Sequence, residues 1–286
     1  MKRGIRTGRL DVSGYGRWGD NLYLKLKNHG YDCSDFNMSR TDLAPYSFDE
    51  EERKNFLAEE KKLAQAAGIE ISQVHGPWRF PPQDASEDDR RKRMEEMRAS
   101  ISMCAELGSK YWVVHPIMPF GIKDIRDGKE AETWAMNLEF MRELLTTAKQ
   151  YDVTICLENM PFPEFSLSPP SKIGELVKTI DDAHFQMCLD TGHFIALAEL
   201  SLCEEIARVA EMVRVLHVHD SFPGEDAHLL PMQGIIDWQP FVKELRKIGF
   251  GGVFSLETMP SGQLSDDAFE QACQALADTL DLILAE

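Results

Sequence analysis

The sequence predicts an α/β protein, a (β/α)8 TIM barrel, from its pattern of apolar residues. Eight short apolar runs typical of β-strands alternate with longer stretches whose apolar residues recur at helical spacing. Strands that alternate with helices at intervals of about 30 to 40 residues indicate a parallel sheet with crossover helices. Eight such repeats favour a closed barrel over an open doubly wound sheet. Because 286 residues is a usual length for one barrel, we expect a single TIM-barrel domain over residues 1–286.

The predicted elements follow one another without a linker-like change of composition. Residues 89–107, 131–151 and 266–285 show the clearest helical spacing of apolar residues. Glycines stand at four helix-to-strand junctions, where a left-handed helix C-cap favours them. These glycines are Gly30, Gly68, Gly108 and Gly249. The eight predicted strands are residues 4–9, 32–37, 70–75, 111–115, 153–158, 185–190, 213–217 and 252–257.

The charge balance argues against a nucleic-acid partner. The chain has 31 Lys and Arg against 48 Asp and Glu, a formal net charge of −17. A surface this acidic repels phosphate backbones unless basic residues are concentrated on one face. The only dense basic run, Arg90 to Arg93, is flanked by acidic residues, and we interpret it as a solvated helix face.

The remaining composition predicts a cytoplasmic protein without a membrane partner. No apolar run approaches the ~20 residues that a membrane span needs. The N-terminal stretch has positive charge but no apolar segment behind it, so we expect no secretory signal. The six cysteines form no C-x-x-C pair, and several lie in apolar runs. Reduced, buried thiols are therefore expected.

Polar side chains stand at the C-terminal ends of the predicted strands from the third onward. In a TIM barrel these ends surround one cavity, and that face carries the chemistry of the fold. Six of the eight histidines, at positions 75, 115, 193, 217, 219 and 228, lie at these ends or just beyond them. The residues that close the six strands are His75, His115, Glu158, Asp190, His217 and Glu257.

This arrangement predicts a divalent metal site. Carboxylates at the ends of buried parallel strands are costly unless they are paired or bind a metal. Glu158, Asp190, His217 and Glu257 come from four successive strands and would form a cage for one ion. Oxygen ligands with one nitrogen suit Mn, Mg or Co, whereas additional imidazoles favour Zn or Fe.

Each residue taken alone also has a structural explanation. A single histidine at a strand end is often a hydrogen-bonded core residue. Asp190 also suits the N-cap of a following helix. Glu257 could pair with a buried basic residue, although no Lys or Arg stands beside it in the sequence.

The motifs together resemble the xylose isomerase-like TIM barrels. They are V-H-G-P, V-V-H-P, L-E-N, L-D-T-G-H, H-V-H-D, D-A-H and S-L-E-T, and they span roughly residues 70 to 260. This superfamily contains sugar-phosphate isomerases and epimerases together with the endonuclease IV branch. The resemblance implies a small carbohydrate substrate and, since dimers are common in the family, a homodimer.

The resemblance to the sugar epimerases implies a role for each matching residue. One Mn, Co, Mg or Zn ion would be held by Glu158, Asp190, His217 and Glu257. Glu158 and Glu257 would act as the acid/base pair on opposite faces of the substrate, and His193 would contact a substrate hydroxyl. Metal coordination of a carbonyl and its neighbouring hydroxyl would stabilise an enediolate. Return of the proton to the opposite face gives epimerisation, and return to the adjacent carbon gives isomerisation.

The endonuclease IV branch provides the alternative function, a multi-zinc phosphodiesterase or AP endonuclease. Clustered zinc ions in such a site activate water for attack on a phosphodiester. The net charge and the apolar, Pro-rich loops after the strands favour the isomerase or epimerase instead. The additional metal or substrate ligands implied by this resemblance are His75, His115, Asp226 and His228.

Two further points concern the substrate. Ketose epimerases have an arginine shortly after the histidine of strand seven, but this chain has no Arg or Lys between Val218 and Lys243. Arg79 and Lys123, after strands three and four, are then the obvious partners for a substrate phosphate, although both are equally compatible with a role as surface charges.

A third possible function is a non-catalytic barrel that binds a sugar or a metal. Such a barrel would lack one of the two glutamates, and both are present.

Overall fold

The strands form one parallel sheet that closes into a barrel. The structure is a computed structural model that describes residues 1–9, 14–197 and 201–285. Within these residues eight strands pair in the order β7-β6-β5-β4-β3-β2-β1-β8. The strands are β1 Lys2–Thr7, β2 Cys33–Asn37, β3 Glu70–His75, β4 Tyr111–Val114, β5 Thr154–Glu158, β6 Phe185–Asp190, β7 Val213–His217 and β8 Val253–Leu256.

Two backbone hydrogen bonds just beyond β7 join it to the region of β8. The Val218 amide donates to the Ser255 carbonyl at 2.8 Å, and the Glu257 amide donates to the Val218 carbonyl at 2.9 Å. Because β1 pairs with both β2 and β8, these bonds complete the ring. The predicted (β/α)8 TIM barrel is confirmed.

Helices connect the strands around the outside of the barrel. The predicted helices agree with the observed α3, α4 and α9 to within two residues at each end. Gly68 and Gly108 end α2 and α3 with φ of 70° and 86°, the left-handed conformation that a glycine adopts without strain. The α-helices of the described residues are α1 Leu22–Asn28, α2 Glu50–Ala67, α3 Glu87–Leu107, α4 Glu130–Gln150, α5 Pro170–Ile180, α6 Thr191–Ala196, α7 Leu202–Val209, α8 Trp238–Lys247 and α9 Asp266–Leu284.

The apolar core lies between the barrel and these helices. Trp112 of β4 is fully buried there, and its indole N–H donates to Ser100 Oγ of α3 at 2.8 Å. All six cysteines are free thiols, and five of them are buried. No helix among the described residues combines the length and apolarity that would let it cross a membrane.

The basic run Arg90 to Arg93 on α3 differs in part from the solvated face expected from the sequence. Arg91 and Lys92 are exposed, as a solvated face requires, but Arg93 is only 2% exposed. The Arg93 Nη1 donates to both carboxylate oxygens of the buried Asp84, at 2.8 and 2.6 Å. The interpretation of the whole run as a solvated face was therefore wrong for Arg93, because this position of α3 turns toward the barrel.

Candidate metal centre

The four predicted metal ligands meet at the C-terminal end of the barrel. Glu158, Asp190 and His217 are the last residues of β5, β6 and β7, and Glu257 directly follows β8. One potential ligand atom of each residue lies within 4.8 Å of those of the other three. All four side chains are buried. The structure thus brings together residues that are up to 99 positions apart in the chain (257 − 158 = 99).

The carboxylates of this group have unused acceptor atoms. Glu158 Oε2, Asp190 Oδ2 and Glu257 Oε2 are buried and accept no aligned hydrogen bond from the described residues, although imidazole nitrogens of His115 and His217 lie 3.0 and 2.9 Å from the two glutamate oxygens. Buried carboxylate oxygens without aligned donors cost free energy, and a divalent cation among them would reduce that cost. Three carboxylates with one imidazole fit Mn²⁺, Co²⁺, Zn²⁺ or Mg²⁺. The residues present therefore fit a bound metal ion.

Asp190 combines the two roles that the sequence left open. Its Oδ1 accepts a hydrogen bond from the His193 amide at 2.6 Å and so caps the N-terminus of α6. Its Oδ2 points away from this bond and remains available to a ligand. The N-cap role is thus observed, and it leaves one oxygen for a metal.

His217 lies at the centre of the carboxylates. Its Nδ1 is 2.8 Å from Glu158 Oε1 and 2.9 Å from Glu257 Oε2. Burial disfavours the charged imidazolium, but the adjacent carboxylates of Glu158 and Glu257 raise the pKa of His217 well above its usual value. A protonated His217 places positive charge between these two carboxylates.

Asp35 is a buried residue of the site that the sequence did not reveal. It lies within β2, and its Oδ2 is 2.9 Å from His217 Nε2 and accepts a hydrogen bond from Gln73 Nε2 at 3.0 Å. This bond fixes the ring so that Nδ1 faces the two glutamates. The signal in the sequence is an aspartate inside the strand Cys33–Asn37, one position before a buried phenylalanine, rather than at a strand end.

The two glutamates are held in the ionised form. Burial opposes ionisation of Glu158, yet His217 and His115 outweigh it and lower the pKa of Glu158 well below its usual value. For Glu257, burial is likewise outweighed by His217 and Arg6, and its pKa is lowered. Both carboxylates are therefore available as proton acceptors near neutral pH.

Arg6 supplies the basic partner of Glu257 that was not visible in the sequence. Its Nη1 donates to Glu257 Oε1 at 2.6 Å, whereas the other oxygen of Glu257 faces His217. Arg6 comes from β1, which is the neighbour of β8 in the closed barrel. The pairing spans 251 positions of the chain, so only barrel closure reveals it.

His75 and His115 lie on the side of the cluster nearest β3 and β4. His115 Nε2 is 3.0 Å from Glu158 Oε2, and His75 Nε2 is 3.7 Å from Glu257 Oε1. The His75 ring stacks parallel to that of His217, with centroids 5.4 Å apart. Burial, with the nearby Arg6, lowers the pKa of His75 to about 3, so this ring is neutral.

His193, Asp226 and His228 form a second group, to which the structure adds His219. One potential ligand atom of each of the four lies within 4.8 Å of the others. Asp226 Oδ1 is 3.3 Å from His228 Nε2 and 3.6 Å from His193 Nε2. The rings of His219 and His228 stack with centroids 4.0 Å apart. Burial disfavours the charged form of His228, but the hydrogen bond with Asp226 outweighs this effect and raises the pKa of His228 to about 10.

Two cavities adjoin these groups and share Arg6, His228 and Glu257. The smaller, of about 70 Å³, lies among the histidines and is walled by Trp78 and Phe162. The larger, of about 340 Å³, is also lined by residues at and beyond the ends of β1, β2 and β8. These include Thr7, Gly8, Tyr15, Asn37, Thr258 and Met259.

The two residues suggested by the sequence as phosphate partners lie elsewhere. Arg79 forms an ion pair with Glu96, and Lys123 Nζ is 3.4 Å from Glu164. Neither is among the residues that line the two cavities. Their charges are thus already paired outside the site.

The fold and the site define a class of TIM-barrel protein with carboxylates and imidazoles gathered at the C-terminal ends of its strands. The family model of the xylose isomerase-like TIM barrel matches residues 24–279, which is most of the chain. The protein belongs to this family.

Several relatives of known activity support this assignment. The chain is 27% identical over 178 residues to an inosose isomerase of Bacillus licheniformis, covering 60% of this chain and 62% of that protein. It is 26% identical over 264 residues to the L-ribulose-5-phosphate 3-epimerase UlaE of Escherichia coli K12, covering 89% of this chain and 86% of the epimerase. The match thus spans less than two thirds of the inosose isomerase.

Solved structures share the fold at lower identity. D-psicose 3-epimerase with D-tagatose from Clostridium cellulolyticum H10 superposes with a TM-score of 0.76 at 19% identity, covering 99% of each chain. The IolI protein with a bound zinc atom superposes with a TM-score of 0.74 at 20% identity, covering 100% of this chain and 98% of that one. At identities of 19% and 20%, these similarities show a shared fold and no more.

Proposed function

We propose that the protein is a divalent-metal-dependent isomerase or epimerase of a sugar or sugar phosphate. The observation that carries the proposal is the pair of buried glutamates that contact His217, one from β5 and one directly after β8. Isomerase and epimerase activities among the relatives support it. The substrate is then a small carbohydrate bound in the two cavities.

Glu158, Asp190, His217 and Glu257 would hold the metal ion. When bound there, the ion supplies positive charge that stabilises the enediolate formed after a proton leaves the carbon next to a carbonyl. Asp35 keeps His217 in the required orientation. These assignments are supported by the unused carboxylate oxygens of the cluster.

Glu158 and Glu257 would move the substrate proton. One carboxylate removes the proton from the carbon beside the carbonyl, and the other returns a proton to the opposite face, which gives epimerisation. Return to the adjacent carbon gives isomerisation. His193 Nδ1 is 2.8 Å from the Asn159 carbonyl, which leaves Nε2 on the cavity side to contact a substrate hydroxyl.

Hydrogen exchange in D₂O tests this function directly. Metal-loaded protein is incubated with ketoses and ketose phosphates, and deuterium at the carbon beside the carbonyl is followed by NMR. We expect exchange that stops with chelator and falls at least 100-fold in Glu158→Gln, since general-base catalysis contributes about 10²–10⁴-fold. Glu164→Gln, the same change at an exposed glutamate paired with Lys123, is the control. Exchange in Glu158→Gln at the control rate would contradict the proposal.

A multi-zinc phosphodiesterase is the second candidate, and the histidine clusters favour it. The described residues offer further ligand groups besides the first, among them His75, His115 and Glu158, and the group around Asp226. We rank it second because the net charge is −17 and the cavity among the histidines measures about 70 Å³ beneath Trp78 and Phe162.

Metal content separates the two candidates. Protein purified without chelator is analysed for metals per chain and assayed on duplex DNA with an abasic site. About one ion per chain without cleavage supports the isomerase or epimerase. Two to three zinc ions with cleavage would establish the phosphodiesterase instead.

We also propose that the chain forms a single barrel domain, acts in the cytoplasm and assembles as a homodimer. The six free thiols support a reducing compartment. Sedimentation analysis of the purified protein tests the dimer.

A further inference from the structure

We propose that Arg6 and the cavity beside it form a subsite for an anionic group of the substrate, a carboxylate or a phosphate. This inference rests on the proposed function, because it assumes that the reacting carbons lie next to Glu257. The proposed cationic contact with the substrate comes from β1, since the chain has no Arg or Lys between Val218 and Lys243.

The guanidinium of Arg6 is fixed in place by hydrogen bonds, and the side chain remains partly exposed. Besides its bond to Glu257, its Nη2 donates to Asn37 Oδ1 at 3.2 Å and to Ser39 Oγ at 3.4 Å. Its Nε is buried and has no hydrogen-bond partner among the described residues. The side chain is 26% exposed. The exposed part of this positively charged side chain can contact an oxygen of a carboxylate or phosphate.

The position of Arg6 joins the reaction centre to a larger space. Arg6 and Glu257 line both the small cavity among the histidines and the cavity of about 340 Å³. The larger volume is within the usual range of about 300–1,000 Å³ for small-molecule sites. A sugar whose carbonyl end lies at Glu257 would therefore place its far end along Arg6, near Tyr15 and Asn37.

The local charge differs from that of the whole molecule. Among the described residues that line the two cavities, Arg6 is the one Arg or Lys. The net charge of −17 repels anions at long range, so anion binding needs a specific cation in the site. Arg6 is placed to provide it, whereas Arg79 is paired with Glu96 outside the cavities.

Binding of matched five-carbon compounds tests the subsite without requiring turnover. Dissociation constants of ribitol, ribonate and ribitol 5-phosphate are measured by calorimetry for the metal-loaded protein. We expect at least one anionic compound to bind about tenfold or more tightly than ribitol, since hydrogen bonds to charged groups are the strong ones. The comparison of ribonate with ribitol 5-phosphate shows whether the subsite takes a carboxylate or a phosphate.

Variants separate recognition of charge from a structural role. Arg6→Gln is expected to abolish the preference for the anion, measured as the ratio of the ribitol constant to the anion constant within the same variant, and Arg6→Lys retains part of that preference. Arg79→Gln, the same change at an arginine outside the two cavities, is the control and should leave the preference for the anion intact. Equal binding of all three compounds by the unaltered protein, or a preference that survives Arg6→Gln, would overturn the subsite.

The D₂O exchange experiment keeps the two proposals distinguishable. An anion preference that depends on Arg6, without proton exchange on any ketose, leaves the subsite standing and removes the isomerase or epimerase. Exchange without such a preference supports the enzyme and removes the subsite.

Discussion

At the scale of single residues, the site depends on how His217 is held. Its Nε2 meets Asp35 and its Nδ1 meets Glu158 and Glu257, so every polar atom of the ring has an acidic neighbour. A carboxylate behind a metal-binding histidine fixes the ring and increases its basicity. Asp35 is thus a positioning residue for His217, one layer removed from the proposed metal site.

Asp35→Asn should weaken metal binding while leaving the fold intact. The amide cannot provide the negative charge that orients and polarises His217, and loss of such a partner typically costs about 10–100-fold in metal affinity. Isothermal titration with Zn²⁺ or Mn²⁺ measures the effect. Asp42→Asn, at an exposed aspartate paired with Arg40, is the control. A dissociation constant of Asp35→Asn equal to that of the control would remove this role from Asp35.

At the scale of elements, one buried ion pair connects α3 to the two loops that follow β3 and β4 at the C-terminal end of the barrel. Asp84, in the segment between β3 and α3, accepts from Arg93 of α3 and from the Met118 amide beyond β4 at 2.8 Å. Arg93 Nη2 also donates to the His115 carbonyl at 3.4 Å. The pair therefore positions the backbone that carries His115.

Arg93→Met should destabilise the protein strongly, because it leaves the Asp84 carboxylate buried without its partner. Removing one member of a buried pair costs about 3–5 kcal/mol. Arg91→Met on the same helix removes an exposed arginine, for which we expect less than about 0.5 kcal/mol. The midpoints of urea unfolding, measured for both variants, compare their stability. Equal midpoints would show that the pair contributes nothing to stability.

At the scale of the whole molecule, the protonation of His217 links stability to pH and would link both to the proposed metal binding. Its raised pKa stabilises the metal-free protein fully below the ordinary histidine value of about 6.5, and this contribution is lost as pH rises toward the folded-state value. If His217 holds the proposed metal ion, its ring would have to give up one proton, so higher pH would favour the metal-bound form.

The stabilisation of the protein by metal should therefore increase with pH. For one displaced proton, affinity rises about tenfold, or about 1.4 kcal/mol, per pH unit while the metal-free His217 stays protonated. Thermal unfolding with and without a fixed concentration of free Zn²⁺ at pH 5.5, 6.5 and 7.5 measures this. His217→Gln should show a small, pH-independent shift. The same metal-induced shift at all three pH values in the unaltered protein would contradict proton displacement.

Much of the fold could be predicted from the sequence, because strand and helix patterns are local. The predicted strands 70–75, 185–190 and 213–217 have the observed bounds of β3, β6 and β7. The first strand was placed at 4–9, but β1 is Lys2–Thr7. Its start is set by pairing of Lys2 with Val253 of β8, a contact that no local pattern contains.

The residues that end the strands can be identified from the local sequence pattern, and this predicts that Glu158, Asp190, His217 and Glu257 meet at one end of a barrel. Position along a strand is a local property, and parallel strands bring equivalent ends together. The partners of these residues, in contrast, depend on the closed barrel. Asp35 of β2 reaches His217 of β7 across 182 positions, because the interior of a closed barrel brings side chains of non-adjacent strands together. Arg6 reaches Glu257 across 251 positions, because closure makes β1 the neighbour of β8.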